Sequence, residues 1–249
     1  MTETNDKIAA ISDIGLHRKN NEDVAYQART ENGTLLVIAD GMGGHRKGEV
    51  ASKIVVDSLS IPFLDAKHVF NTRRSRKFYA KNLKKANKEI YDLSLSGDEY
   101  REMGTTVVSC IVSEKEASIA SVGDSRIYIL DNDGMLKQIS KDQTYVEFLF
   151  ESGIITKEEM ATHPQKNLLL NAVGINPDIA DVETYTIANE CYQTLFLCSD
   201  GLYNMVSSQE IQSVLNDKSK NALAKAKELL RLALEHGGND NIAIVIMEK

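Results

Sequence analysis

Short apolar runs that end at an acidic residue next to glycine are the feature that most constrains how this chain can fold. Residues 35–39 run into Asp40-Gly41, and residues 194–198 run into Ser199-Asp200-Gly201. Apolar runs of this length predict buried strands. A glycine beside the acid removes the side chain that would keep other groups away from the backbone. The pattern therefore predicts strands that deliver carboxylates to a common site.

Three further acidic elements extend this pattern: Asn21-Glu22-Asp23, Gly123-Asp124-Ser125-Arg126 and Asp240-Asn241. Any one of the elements is better explained alone as a strand that ends in a tight turn. Five of them in one chain indicate convergence on a cation. Because no Cys or His stands at ligand spacing beside them, the oxygen donors favour Mg²⁺ or Mn²⁺ over zinc.

The composition is that of an ordinary globular chain. The 249 residues are 42% hydrophobic and 26% charged, and no internal repeat or linker divides them, so we expect one domain over residues 1–249. No apolar run reaches the roughly 18 residues that a membrane span needs, and the polar N-terminus is unlike a signal peptide. Three cysteines lie in or near apolar runs and are predicted to be reduced core thiols, which favours the cytoplasm: Cys110, Cys191 and Cys198.

Charge is distributed unevenly along the chain. The net charge is −7, yet residues 67–88 contain nine Lys or Arg and no acid, which leaves −16 for the rest. Such a basic segment could attract acidic partners or nucleic acid. The solvated face of a helix is the favoured interpretation, so we expect no nucleic-acid partner and no membrane partner.

Hydrophobic periodicity predicts the elements of an α+β fold with antiparallel sheets. Strands are predicted at residues 7–13, 23–29, 34–40, 105–112, 116–122, 126–131, 135–139, 182–187, 194–197 and 242–247. Helices are predicted at residues 49–59, 73–94, 208–215 and 221–236, the last capped by Asn221. The four strands between 105 and 139 have the pattern of a meander within one antiparallel sheet, whereas residues 141–173 have helical character.

Arg18 stands five residues before Asp23, and its planar guanidinium suits phosphate oxygens. A lone Arg near acids is more often a structural ion pair, but beside a carboxylate-bound pair of dications a phosphate clamp explains it better.

The order of the motifs resembles that of the metal-dependent serine/threonine protein phosphatases (the PPM, or type 2C, family), in particular their compact bacterial branch. The motifs are Arg18-x-x-Asn21-Glu22-Asp23, Asp40-Gly41-Met42-Gly43-Gly44-His45, Gly104-Thr105-Thr106, Gly123-Asp124-Ser125-Arg126, His163-Pro164-Gln165, Cys198-Ser199-Asp200-Gly201-Leu202 and Asp240-Asn241.

This resemblance implies a β-sandwich of two antiparallel sheets flanked by helices on both sides, a four-layer αββα arrangement. It also implies two closely placed Mn²⁺ or Mg²⁺ ions in the cleft between the sheets. Asp40 would bridge these ions, and Gly41 would donate its backbone carbonyl. Asp200 and Asp240 would complete the ligands of one ion, and Asp23 would bind the other.

A third, weaker ion would be held by Asp124 and Asp200, with Glu22 supporting the ligands from behind. Arg18 would bind the substrate phosphate, so the implied catalytic residues are Arg18, Asp40 and Asp200. A water held between two dications is acidic enough to supply hydroxide near neutral pH. The resemblance therefore implies hydrolysis by a metal-activated water, without a phosphoenzyme.

The chain departs from the wider family at two positions. Met42 stands where many eukaryotic members have a histidine proposed as general acid, so His45 and metal-bound water both remain candidates for that role. Asn171 stands where bacterial relatives often carry a basic residue. Residues 141–174 correspond to the flap of bacterial members, and either a mobile lid or a packed insertion fits the sequence.

The resulting prediction is a phosphoprotein phosphatase specific for phosphoserine and phosphothreonine, acting as a cytoplasmic monomer. Its expected partners are phosphorylated proteins, including a bacterial Ser/Thr kinase and the substrates of that kinase. One alternative is a phosphatase dedicated to a phosphorylated stress-signalling antagonist. A second alternative is an inactive phosphoprotein-binding module, which the complete set of acidic residues disfavours.

Overall fold

The computed structural model describes residues 7–43, 47–179 and 181–249 of the chain. In these residues the strands are, in chain order, β1 (Ile8–Asp13), β2 (Asp23–Thr30), β3 (Gly33–Met42), β4 (Gly104–Thr105), β5 (Val107–Val112), β6 (Glu116–Val122), β7 (Arg126–Leu130), β8 (Leu136–Gln138), β9 (Glu183–Ala188), β10 (Thr194–Cys198) and β11 (Ile242–Glu248). The helices are α1 (Gly48–Leu64), α2 (Thr72–Ser94), α3 (Tyr145–Glu151), α4 (Lys157–Thr162), α5 (Asp200–Tyr203), α6 (Ser208–Asn216) and α7 (Ala222–Glu235).

The strands form two antiparallel sheets. One sheet has the order β1, β11, β10, β7, β8. The other has the order β2, β3, β5, β6, β9, with the short β4 beside the end of β3. The predicted α+β class with two antiparallel sheets is therefore confirmed.

Alternate side chains of β3 contribute to two different core layers. Leu36 and Ile38 pack between the two sheets. Leu35 and Val37 point the other way and pack against helices α1 and α2. Successive side chains of a strand lie on opposite faces, so a strand that is covered on both faces needs an unbroken apolar run. This requirement explains why residues 35–39 are all apolar.

The five-stranded sheet is covered in the same way on its own outer face. Phe196 and Cys198 of β10 pack with Leu229 of α7, whereas Leu195 and Leu197 face the other sheet. The order of layers is thus helices, sheet, sheet, helices. This is the four-layer arrangement that the family resemblance implies.

Helix α7 begins and ends where the sequence predicts. The Asn221 side chain accepts a hydrogen bond from the Ala224 amide at 2.9 Å, as an N-terminal cap does. Beyond the end of the helix the chain turns at Gly237, whose φ is +127°. Within the part of the chain that the structure describes, no helix combines the length and the apolar character needed to cross a bilayer.

The prediction of a single meander between residues 105 and 139 is wrong. Strands β5 and β6 belong to the six-stranded sheet, and β7 and β8 belong to the five-stranded sheet. The chain changes sheets at Gly123, whose φ is +95° and where a β-carbon would lie 2.7 Å from the side chain of Thr106. Glycine tolerates this conformation and this close approach. Strand periodicity does not indicate which sheet a strand joins.

Residues 141–173 are helical only in part. Helices α3 and α4 are short, and the segment also contains an isolated bridge between Thr144 and Leu169. The prediction for Cys191 is also wrong, because this residue is exposed in a single 3₁₀ turn before β10. Cys110 and Cys198 are buried as predicted, and all three thiols are free.

We expect Leu197→Ala to lower the free energy of unfolding by about 2–5 kcal/mol, because it leaves a cavity between the two sheets. Leu197 is fully buried there. Urea unfolding followed by circular dichroism measures the change. The control is Leu223→Ala on the exposed side of α7, which should cost less than about 0.5 kcal/mol. Equal effects of the two substitutions would contradict the assigned core.

Candidate active site

Asp23 and Asp40 face each other across neighbouring strands. They are register partners in the antiparallel pair of β2 and β3, so their side chains lie on the same face. The Ser199 hydroxyl donates a hydrogen bond of 2.6 Å to Asp23 Oδ2. Burial, and then the charge of Asp200, raise the pKa of Asp23 to about 7, although the hydrogen bond from Ser199 opposes this shift. Burial, and then the charge of Asp23, raise the pKa of Asp40 well above its ordinary value.

Asp200 approaches from the other sheet. It follows β10 and is the first residue of α5. Side-chain hydrogen bonding with Asp40 lowers the pKa of both Asp23 and Asp200, so Asp40 is a neighbour of both carboxylates. Burial, and then the charge of Asp240, nevertheless raise the pKa of Asp200 to about 6. Asp40 is thus the neighbour that Asp23 and Asp200 have in common.

Asp124 lies at the turn where the chain crosses between the sheets. Burial, and then the charges of Asp200 and Asp142, raise its pKa to about 7, while Arg126 opposes the shift. The Tyr203 hydroxyl donates to the Asp124 carbonyl at 3.1 Å and ties this turn to α5. Asp124 is therefore close enough to Asp200 for their charges to interact.

Asp240 is brought to the site by a loop that packs on the segment carrying Arg18. The Arg18 Nη2 atom lies 2.6 Å from Asp240 Oδ2. The two side chains are 47% and 34% exposed, so the pair borders solvent. The backbone amide of Leu16 donates to the carbonyl of Gly238 at 2.8 Å, which fixes the two segments together. The structural ion pair considered for Arg18 is thus present.

Glu22 is buried beside these residues. Its backbone amide donates to Asn241 Oδ1 at 2.9 Å. Burial is the largest cause of its raised pKa, and the neighbouring charge of Glu49 is the next. A β-carbon added at Gly48 would lie 2.5 Å from Glu22 Oε2, so the carboxylate packs directly against that glycine.

Gly41 occupies a position that no side chain could share. A β-carbon there would lie 2.4 Å from the Gly48 carbonyl oxygen and 2.7 Å from the Glu22 carbonyl oxygen. Its amide donates to the same Glu22 carbonyl at 3.1 Å. The glycine allows the end of β3 to approach Glu22 and α1 closely. His45, the candidate general acid, and its neighbour Gly44 lie outside the described residues.

Several residues to which no role was assigned from the sequence hold the carboxylates in place. Thr105 Oγ1 donates to the Asp40 carbonyl at 2.9 Å, and Thr106 Oγ1 accepts from the Asp40 amide at 3.3 Å. Asn241 binds the carbonyls of Ile14 and Asn20 through its amide group. Ser199 accepts from the Ala243 amide at 2.8 Å while it donates to Asp23. The motifs contained Thr105, Thr106, Ser199 and Asn241, but only the long-range contacts reveal what they do.

The donor set fits a hard divalent cation. It consists of carboxylate oxygens whose raised pKa values arise from burial and from one another, so the cluster lacks enough positive charge to balance it. A dication would supply that charge, and oxygen donors suit Mg²⁺ or Mn²⁺. Among the described residues, no three acidic, His or Cys side chains are already drawn together at ligand distance. The carboxylates are neighbours that hydrogen bonds hold in place.

A cavity of about 760 Å³ lies at the opposite ends of the strands. Lys7, Arg29 and Glu114 line it, and it contains none of the predicted site residues. The chemistry that the sequence predicts is therefore confined to the other end of the sandwich, where the carboxylates meet.

A family model described as protein phosphatase 2C matches residues 17–235. The chain belongs to this family. A serine/threonine phosphatase stp of Listeria monocytogenes is 38% identical over 240 residues, which cover 96% of this chain and 94% of that protein. Protein phosphatase PhpP of Streptococcus pneumoniae is 33% identical, with coverage of 97% and 96%.

Solved structures extend the likeness to the fold. The serine/threonine phosphatase Stp1 of Staphylococcus aureus aligns with a TM-score of 0.90 at 34% identity, over 98% of this chain and 94% of that one. The PstP/Ppp phosphatase of Mycobacterium tuberculosis aligns with a TM-score of 0.84 at 34% identity, over 97% of each chain. The resemblance drawn from the motifs is confirmed.

The carboxylate cluster predicts how the stability of the metal-free protein depends on pH. Asp23 and Asp124 have pKa values of about 7 in the folded protein, against an ordinary value of 3.8. The folded state therefore binds more protons between these values, so stability is lost as the pH rises through this window. In excess chelator we expect the melting temperature to fall between pH 5.5 and pH 7.5, as followed by circular dichroism.

Addition of Mn²⁺ at pH 7.5 should restore the melting temperature, because the ion binds only the folded, charged cluster. Asp40→Asn removes one of the repelling charges and should flatten the pH dependence in chelator. A melting temperature that stays constant across this pH range in chelator would contradict the assigned charge repulsion.

Proposed function

We propose that this protein hydrolyses phosphoserine and phosphothreonine in other proteins, using the carboxylate cluster that joins the ends of the two sheets. The observation that carries the proposal is the gathering of the buried carboxylates of Asp23, Asp40 and Asp200 at neighbouring strand ends of the two sheets. Membership of the protein phosphatase 2C family, whose members are metal-dependent, supports it further. The bacterial relatives named as serine/threonine phosphatases support the choice of substrate.

In this proposal Asp40 and the backbone carbonyl of Gly41 would help to hold two Mn²⁺ or Mg²⁺ ions. Asp200 and Asp240 would serve one ion, and Asp23 would serve the other. Asp124 and Asp200 would hold a third, weaker ion, and Glu22 would support the cluster from behind. When bound, these ions would supply an acidified water and positive charge for the phosphoryl oxygens.

The side chains of the protein position the ligands and the substrate. Ser199 fixes one oxygen of Asp23, and Thr105 and Thr106, at the end of β4, fix the backbone on both sides of Asp40. Arg18 presents its guanidinium at the solvent border of the site. A phosphate that enters from solvent would meet this planar fork, which binds two phosphate oxygens at once.

The proposal extends to partners and organisation. We propose that residues 1–249 form one catalytic domain, that it acts as a monomer in the cytoplasm of a bacterium, and that it opposes a Ser/Thr kinase. Residues 141–174 would form a flap beside the site. The contact of Gln143 with Gly123, the residue before Asp124, supports this position. The dedicated antagonist phosphatase and the inactive binding module remain the alternatives.

Turnover of a phosphothreonine peptide should require Mn²⁺ or Mg²⁺ and stop in excess chelator, because oxygen ligands hold these ions reversibly. Asp40→Asn and Asp200→Asn should each remove most of kcat at saturating Mn²⁺. The control is Asp57→Asn on α1, far from the cluster, which should keep wild-type kcat. Release of phosphate measures each rate. Full activity in chelator, or in either site variant, would contradict the assignment of these carboxylates to a metal-dependent site.

Arg18→Ala should impair substrate binding more than metal binding. Loss of one charged phosphate contact costs about 1.5–3 kcal/mol and should appear mainly in KM. Arg231→Ala, which removes an exposed Arg paired with Glu228 and Glu235 on α7, is the matched control. If Arg18→Ala weakened Mn²⁺ binding strongly and left KM unchanged, the pair with Asp240 would be its main role instead.

A further inference from the structure

A groove of about 380 Å³ opens beside the carboxylate cluster. It lies between the first turn of α3 and the residues that lead into β9, and we call it the flap groove. Glu147 and Asp181 stand on its two sides, with Phe148 and Leu170 among its other lining residues. None of the residues assigned to the metal ions lines this groove.

Two hydrogen bonds join the flap groove to the candidate site. Gln143, which lines the groove, donates from its backbone amide to the Gly123 carbonyl at 2.9 Å. In return its side-chain oxygen accepts from the Gly123 amide, also at 2.9 Å. Because Gly123 directly precedes Asp124, the flap groove begins beside a residue assigned to the cluster.

The lining of the flap groove is strongly acidic. Five carboxylates line it against one lysine: Asp142, Glu147, Glu151, Asp181 and Glu183 against Lys141. Some of these charges are already compensated within the protein. Arg126 binds Asp142 at 2.6 Å, and Lys141 pairs with Glu151 at 2.5 Å.

Two of the five carboxylates have no direct hydrogen-bond or ion-pair partner among the described residues. Glu147 is half-buried, and among the described residues its carboxylate forms no direct ion pair or hydrogen bond, although the charges of Lys141 and Arg126 act on it from a distance. Asp181 is exposed, and in the same residues only its backbone carbonyl is bonded. The neutral Asn171 fixes that carbonyl at 2.8 Å and also binds Gln143 at 2.8 Å, so the wall carries no cation of its own there.

Apolar side chains complete the surface. Phe148 is 54% exposed and Leu170 is 51% exposed. Lys and Arg side chains combine an apolar stem with a cationic end, so they match a surface with apolar walls and free carboxylates. An anionic segment would be repelled, and a bare metal ion would leave the apolar walls without a role.

We propose that the flap groove binds a Lys or Arg side chain of the phosphoprotein substrate, a few residues from the phosphorylated residue. Glu147 and Asp181 accept the cationic end, and Phe148 and Leu170 contact the stem. The groove thereby selects phosphorylation sites with a basic flank. This inference rests on the proposed phosphatase function and adds a substrate class to it.

The test compares phosphothreonine peptides that differ in one flanking residue. One peptide has alanine on both sides of the phosphothreonine, and the others carry a single Arg at each of four positions on either side. For the wild-type protein we expect at least one Arg peptide to have a kcat/KM about five- to tenfold higher than the alanine peptide, through a lower KM. Added salt should reduce this preference.

Glu147→Gln/Asp181→Asn should reduce the preference to less than about twofold, because it removes both free charges. The matched control is Glu89→Gln/Asp92→Asn, two acids on the exposed side of α2, which should keep the full preference. Hydrolysis of p-nitrophenyl phosphate, which has no flanking residues, is the reference for each variant. Asp181→Asn alone, at an exposed position, serves if the double variant fails to fold.

No Arg preference in the wild type, a preference for acidic flanks, or a preference that survives the groove substitutions would overturn the inference. In each of these cases Mn²⁺-dependent hydrolysis of the alanine peptide would still support the phosphatase function. Failure to hydrolyse any phosphopeptide with Mn²⁺ would overturn both proposals together.

Discussion

Repulsion among buried carboxylates is the constraint on which the rest of this structure depends. Asp23, Asp40 and Asp200 lie at the meeting point of two sheets, and burial raises the pKa of each. A protein that had only to be stable would not gather them there, since unpaired buried charge is costly. Hydrogen bonds from Ser199 and Thr105 hold the carboxylates and their backbone in place. Bound divalent cations would supply the positive charge that these carboxylates lack.

The same strands build the core and deliver the site. The alternating side chains of β3 fill the layers on both of its faces, and the last residues of the strand include Asp40 and Gly41. In the other sheet β10 does the same and ends before Asp200. Because the strands are fixed along their whole length by apolar packing, their ends are rigid. Precise placement of charge therefore follows from ordinary core packing.

The sequence allowed prediction of most strands and the approach of the carboxylates, because apolar runs and the Asp-Gly pairs are local signals. It could not show which sheet each strand joins, so the crossing at Gly123 was missed. The exposure of Cys191 was missed because a residue whose neighbours in the sequence are apolar need not be buried in the fold. The flap groove depends on Glu147 and Asp181, which are distant in the chain and meet only in the fold.

Proton release on metal binding tests the central claim most directly. Mn²⁺ is titrated calorimetrically into chelator-treated protein at pH 6.5 and at pH 9, in two buffers with different enthalpies of ionisation. With pKa values of about 7 for Asp23 and Asp124, the account predicts release of about one proton or more at pH 6.5 and a smaller release at pH 9, where these two carboxyl groups are already ionised. Binding without proton release at pH 6.5, or no Mn²⁺ binding at either pH, would contradict it.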